Sequence, residues 1–219
     1  MENVLFSWSS GKDSALALYE VLYSGECNVS ALLTTITDEK KVPMHEVSSR
    51  LVERQAEAIG LQLVPVYMPK ASNNETYEKG LAEVLAGFKE WGVEKVVHAD
   101  IFLEDVKKYR DEQLAKLHMK GVYPLWGRET ARLAERFISL GFRSIVTCVD
   151  TSVLGAEFAG RDFDADFLAD LPGNVDPCGE NGEFHTFVYD GPIFQRPVDY
   201  SEGGSYTSWE GRFYHLELV

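Results

Sequence analysis

The first twenty-two residues limit the fold more than any other stretch of the chain. An apolar run, Val4-Leu5-Phe6, reads as a short buried strand. Ala15, Leu18, Tyr19 and Leu22 then recur at i, i+3, i+4 and i+7, the stripe of an amphipathic helix. Between them stands Ser9-Ser10-Gly11-Lys12-Asp13-Ser14. A strand that turns directly into a helix presents unpaired backbone N–H groups and the positive end of the helix dipole. Gly11 lets a ligand approach the backbone closely, the three serines add donors, and Lys12 adds a full charge. A phosphate or pyrophosphate fits such a turn.

The widespread phosphate loop G-x-x-x-x-G-K-[ST] is excluded twice, because Phe6 holds the first glycine position and Asp13 follows the lysine. The remaining pattern, S-x-G-K-D-S, resembles the signature of the PP-loop ATP pyrophosphatases. Those enzymes split ATP between its α and β phosphates and hold the pyrophosphate in this loop.

Beyond the turn, strands and helices alternate. Residues 29–36 read as a second strand and 38–43 as a polar loop. Residues 45–59 read as a helix with Val47, Leu51 and Ala58 on one face and Gly60 as its stop. A third strand is predicted over 61–67, a helix over 75–91 and a fourth strand over 94–100. Val106, Tyr109, Gln113, Leu114 and Leu117 predict another helix, closed by Gly121. This alternation predicts an α/β, Rossmann-like parallel sheet covered on both faces, with ligands beyond the carboxyl ends of its strands. The serine-rich turn, Thr35-Ile36-Thr37 and Ala99-Asp100 all fall at such ends.

From Tyr123 the pattern changes. A helix over 128–140, a strand over 142–149, a short acidic helix over 162–171 and a turn at Pro172-Gly173-Asn174 lead to two tail strands, 187–189 and 213–218. The expected organisation is a nucleotide-binding domain over 1–122 and a smaller α+β substrate lobe over 123–219, with a cleft between them. Just before the tail, Pro177-Cys178-Gly179-Glu180-Asn181-Gly182-Glu183-Phe184-His185-Thr186 interleaves glycines with carboxylates, an amide and an imidazole. Such a stretch suits a substrate loop.

Composition narrows the partners. No segment approaches the roughly 18 apolar residues that cross a bilayer. The amino terminus carries Glu2 and enters a strand at once, so no signal peptide is expected. Cys27, Cys148 and Cys178 are odd in number and form no CxxC pair, so neither a disulfide framework nor a zinc site is predicted. The expected location is cytoplasmic. A net charge of −14 repels nucleic-acid backbone. One local basic group, Lys107-Lys108 with Arg110, is flanked by Asp105 and Asp111-Glu112, which argues against a tRNA substrate.

Five segments in order carry a more specific resemblance: the S-x-G-K-D-S turn, His45-Glu46-Val47, His98-Ala99-Asp100-Ile101, Pro124-Leu125-Trp126, and the loop from Gly179 to Thr186. Together they resemble the diphthine–ammonia ligase family of ATP pyrophosphatases, whose nucleotide domain has the adenine nucleotide alpha hydrolase-like (HUP) form of the Rossmann-like fold. Two positions depart from the pattern. Asn181 and His185 replace a glycine and a glutamate of Glu-Gly-Gly-Glu-(Phe/Tyr)-Glu-Thr, and His-Ala-Asp stands where Gly-Asp is usual. The altered loop resembles bacterial-type relatives linked to other amidations or to cobalamin salvage.

The resemblance implies an ATP-dependent ligase. A substrate carboxylate attacks the ATP α-phosphorus, pyrophosphate leaves, and ammonia displaces AMP to form an amide. It implies ATP and Mg²⁺ as cofactors, with Ser9, Ser10, Gly11, Lys12 and Ser14 around the pyrophosphate. Asp13 either ligates Mg²⁺ or orients Lys12 and caps the helix. His45 lies near adenine, and Asp100 meets Mg²⁺ or substrate. Glu183 and His185, on one side of an extended strand start, are expected to handle ammonia or substrate ahead of Glu180. Arg110 and Glu112, two apart on a helix, do not share a face. The acceptor is a carboxylate, diphthine on elongation factor 2 or a small molecule. Free ammonium is the expected nitrogen source, and a homo-oligomer is left open. Two other functions fit less of the sequence: a tRNA-thiolating enzyme using Cys148 and Cys178, and a nucleotide sensor without turnover.

Overall fold

In a computed structural model, which describes residues 1–68 and 74–219, the chain builds two sheets. The first contains β1 (Glu2–Ser7), β2 (Cys27–Thr37), β3 (Leu63–Met68), β4 (Lys95–Val97) and β5 (Lys120–Val122), joined by α1 (Lys12–Ser24), α2 (Ser49–Ile59), α3 (Asn74–Glu90) and α4 (Glu104–Lys116). All its pairings are parallel, in the order β3-β2-β1-β4-β5. The order reverses between β1 and β4, where a crevice must open beyond the strand ends. The serine-rich turn follows β1 and Asp100 follows β4, so both meet that crevice.

The second sheet is antiparallel, in the order β7-β6-β9-β8, from β6 (Arg143–Asp150), β7 (Phe184–Asp190), β8 (Glu202–Ser208) and β9 (Phe213–Leu218). Two further helices, α5 (Thr130–Ser139) and α6 (Ala165–Asp170), accompany it. No described helix is long and apolar enough to cross a membrane.

Alternation along β1 fixes how the layers stack. Val4 and Phe6 enter one apolar cluster while Leu5 enters another with Leu33, Leu85 and Leu114, as a strand buried on both faces requires. The first cluster also takes in Val146, Phe184, Phe187 and Leu218 of the second sheet. One continuous core therefore joins the two sheets, and the crevice is roofed by the carboxyl-terminal part of the chain.

Four local expectations change. Helix α2 begins at Ser49 rather than near His45, because Ser48 caps it by accepting from the Leu51 N–H. Residues 40–48 instead form a hairpin-like turn, with Val42 N donating to Val47 O at 2.8 Å and Ser49 N to Lys40 O at 2.7 Å. Met44 and Glu46 adopt positive φ there, at 67° and 55°. Strand β4 stops at Val97, although His98 N still donates to Val122 O. His118, at φ 54°, follows α4, while Gly121 lies inside β5, a strand too short to show a pattern. Strand β8 was missed altogether, because Glu202-Gly203-Gly204-Ser205 at an exposed sheet edge carries no apolar alternation.

Candidate active site

The turn after β1 is shaped by partners distant in sequence. Ser10 adopts φ 73° and is fully buried. Its carbonyl accepts from Val188 N at 3.0 Å and from the Gln55 amide at 3.1 Å. Gln55 also donates to Val188 O and accepts from Trp8 Nε1 at 2.9 Å, so one side chain ties α2, β7 and the turn together. Gly11 has no room for a side chain: a Cβ there would lie 2.6 Å from His45 Cε1 and 3.2 Å from Thr186 O. The glycine thus serves packing against β7 as well as access to the backbone. Ser9 Oγ and Ser14 Oγ lie 2.6 Å apart. Helix α1 starts with no side-chain cap. Lys12 N donates to Thr186 Oγ1 at 3.0 Å, and the following N–H groups of the first turn remain oriented for an anion.

The Lys12 side chain is buried but not apolar in its contacts. Its ammonium pairs with Asp13 at 2.8 Å, donates to the Cys178 carbonyl and lies 5.1 Å from the Phe184 ring centre. Burial pulls its pKa down, yet the Asp13 carboxylate, helped by Cys178 and Glu180, outweighs this and leaves the group more basic than usual. Lys12 is therefore a fixed cation at the floor of the crevice.

Facing it is the loop between α6 and β7. Asp176 Oδ1 accepts from Cys178 N and Glu180 N, and Oδ2 accepts from Thr130 Oγ1 at 2.7 Å. Glu183 is buried, with Oε1 accepting from Asp176 N and Asn181 Nδ2 and Oε2 from Asn181 N at 3.0 Å. These bonds fold the loop on itself and bring Glu180 to the crevice. Glu180 Oε1 accepts from Ile101 N at 2.8 Å. Burial raises its carboxyl to about 7, against the lowering effect of that hydrogen bond and with Asp13 and Asp100 adding to the rise.

Two histidines close the same wall. His45 Nδ1 donates to Thr186 O at 3.1 Å, and its ring centre lies 4.7 Å from that of His185. Burial lowers the His45 pKa to about 4, with Lys12 adding to the effect. His185 is also held well below the usual range, by burial and then by His45 and Lys12. Both rings are neutral at physiological pH. Across the crevice, Arg110 Nε sits 2.8 Å from Asp100 Oδ2, an ion pair at the end of β4. His98, two residues before Asp100, is buried with both ring nitrogens unpartnered among the described residues, and burial followed by Arg110 depresses its pKa strongly.

The crevice measures about 630 Å³, within the range of small-molecule sites. Of the sequence candidates, Ser9, Lys12, Asp13, Ser14, His45, Asp100 and His185 line it. Ser10 and Gly11 shape the turn from behind without lining it. Glu183 does not line it either, because its carboxylate is turned into its own loop; Glu180, ranked below it in the sequence reading, occupies the wall. The expected split of Arg110 from Glu112 holds: Arg110 lines the crevice and Glu112 is exposed elsewhere. Gln55 escaped notice, although a glutamine four residues after Leu51 on the apolar face of α2 was a visible signal.

The donors present fit a nucleotide triphosphate with Mg²⁺. Among the described residues no group of three metal-ligating side chains forms. Asp13, at the rim of the turn and paired with Lys12, is the carboxylate that would meet an ion held mainly by phosphate oxygens and water.

Comparison with known proteins matches residues 2–121 to the diphthamide synthase N-terminal domain and residues 129–218 to the diphthamide synthase C-terminal domain. Diphthine–ammonia ligase of Danio rerio is 27% identical over 212 residues, covering 87% of this chain and 83% of the relative. Diphthine–ammonia ligases of Bos taurus and Homo sapiens are 27% and 26% identical, each covering 87% of this chain and 79% of the relative. Among solved structures, a predicted subunit of tRNA methyltransferase from Methanocaldococcus jannaschii is 18% identical, with a TM-score of 0.46 over 65% of this chain and 77% of that one.

Proposed function

The chain belongs to the diphthamide synthase family, and on that premise we propose that it is an ATP-dependent ligase that adenylates a substrate carboxylate and amidates it with ammonia, releasing AMP and pyrophosphate. The observation that carries this reading is the convergence of a cationic, uncapped strand-to-helix turn and a carboxylate-bearing loop on one crevice, with Lys12 between them. Positive groups sit where negative charge develops on a leaving pyrophosphate, and a base sits across from them.

In this mechanism the first-turn N–H groups of α1, the Ser9 and Ser14 hydroxyls and the Lys12 ammonium stabilise the departing pyrophosphate. Asp13, which also pairs with Lys12, would hold Mg²⁺, and that ion would offset phosphate charge. Arg110, placed by Asp100, faces the acceptor carboxylate. When ammonia attacks the acyl adenylate, a C–N bond forms, the acyl C–O bond to AMP breaks, and one N–H proton passes to ionised Glu180. His45, packed against Gly11 of the turn, borders the nucleotide; His185 flanks the acceptor, and His185 with Asn181 are the positions through which this chain selects an acceptor of its own. Diphthine on elongation factor 2 and small carboxylates are both candidates. Thiolation is disfavoured on chemical grounds: burial pushes the Cys148 thiol up to about 12 and raises Cys178 as well, which works against the thiolates sulfur transfer needs.

The test incubates the protein with ATP, Mg²⁺ and ammonium, with and without candidate carboxylates, including elongation factor 2 bearing diphthine. AMP and amide are followed by mass spectrometry. Lys12→Met should cut pyrophosphate release by about 100-fold or more, with an unchanged circular dichroism spectrum. Full activity in that variant overturns the reading.

A further inference from the structure

Behind the crevice lies a smaller, separate cavity of about 50 Å³ between the parallel sheet and helices α3 and α4. Its volume admits a few molecules the size of water. Six of its thirteen lining residues are leucines and valines of β2, β3, β4, α3 and α4. The other seven are Ser7, Thr35, Tyr77, Tyr109, His98, Gln113 and Arg110. The Thr35 and Tyr77 hydroxyls lie 3.4 Å apart, and the His98 ring is stacked on Tyr123 at 5.6 Å.

His98 is the unusual member. It is only 7% exposed, and neither ring nitrogen has a partner among the described residues. A buried polar group left this way calls for a small hydrogen-bonding molecule within reach, water or another. A neutral imidazole offers one donor and one acceptor, which matches a molecule carrying both a lone pair and N–H bonds. No carboxylate lines the cavity among the described residues, and its one full charge, Arg110, is positive. Apolar walls beside a cation disfavour ammonium and favour its neutral form. Ser7, Leu33, Thr35, Tyr77 and Arg110 line this cavity and the crevice alike, so its contents adjoin the reacting centre.

We propose that this cavity holds neutral ammonia on the His98 imidazole and supplies it to the acyl adenylate in the adjoining crevice. The proposal rests on the ligase reading for its purpose, but the binding event can be tested without turnover. Protein labelled with ¹⁵N in histidine is titrated with ammonium chloride at mildly alkaline pH, and in parallel with potassium chloride. Ammonium should move the His98 ring resonances saturably while potassium leaves them in place. In amide-forming assays His98→Phe, which preserves the stack on Tyr123, should raise the ammonium KM about tenfold with the ATP KM unchanged, as loss of one buried hydrogen bond predicts. Thr35→Val should raise it less, in the same direction. Identical responses to both salts mean that the cavity holds only water and overturn the proposal. So does an unchanged ammonium KM in His98→Phe. If the unaltered protein forms no AMP with any acceptor, the ligase reading fails, and the resonance titration decides the ammonia site by itself.

Discussion

The two loops that face each other across the crevice are built on opposite plans. The turn over residues 9–14 is short, local in sequence and shaped from outside, by Gln55, Thr186 and Val188. The loop over residues 176–186 is longer and shaped mainly from within, by Asp176 and Glu183 accepting from its own backbone. In the first, distant elements hold the backbone, and the paired Lys12, Asp13, Ser9 and Ser14 side chains line the crevice. In the second, two of three carboxylates are committed to scaffolding so that Glu180 can be presented. A carboxylate in a substrate loop is therefore no guide to chemistry until its hydrogen bonds are known.

Three changes test this contrast. The largest effect is expected from Gln55→Leu, which strips three hydrogen bonds from a fully buried junction. It should cost about 2–4 kcal/mol by denaturant titration. A loss under about 1 kcal/mol would mean that the turn holds its own shape. Next, Glu183→Gln puts an amide where Oε1 and Oε2 now accept three N–H groups, and should cost about 1–3 kcal/mol. ATP affinity, measured calorimetrically, should hardly change. Equal loss of ATP binding would move Glu183 into the nucleotide site.

The smallest effect on stability, and the most specific on rate, belongs to Glu180→Gln. Because burial lifts this carboxyl to about 7, the ionised base appears only as pH rises through neutrality. Acceptor turnover in the parent should therefore climb through about pH 7 and flatten above it. The variant should be slower and should lose that inflection. The sign for stability is the reverse. A carboxyl with a raised folded-state pKa favours the native state while protonated, and this contribution is lost as pH rises from the ordinary carboxylate range through about 7. The parent's melting temperature relative to the variant's should accordingly fall over that window. An unchanged pH–rate profile in Glu180→Gln removes Glu180 from the chemistry.

Much of the architecture was legible because it is written locally. Apolar runs, helical stripes and their glycine stops, such as Gly60 at the end of α2, report on their own neighbourhood. The serine-rich turn over residues 9–14 belongs to this class. What escaped was set by contacts across the molecule or by backbone shapes that composition does not announce. His45 was placed on a helix, yet it sits in a turn where methionine and glutamate, not glycine, take positive φ. Glu183 and His185 were paired by strand alternation, but β7 starts only at Phe184 and Glu183 turns inward before it. Strand β8 had no apolar pattern because an exposed edge needs none.

The hydrogen bond from Lys12 N to Thr186 Oγ1 spans 174 positions of sequence, and the carbonyl of Ser10 reaches equally far to Val188. A nascent chain leaving the ribosome thus exposes its serine-rich turn long before the strand that moulds it has been synthesised. On the ligase reading, the turn would take its nucleotide-binding shape only once nearly the whole polypeptide has been translated.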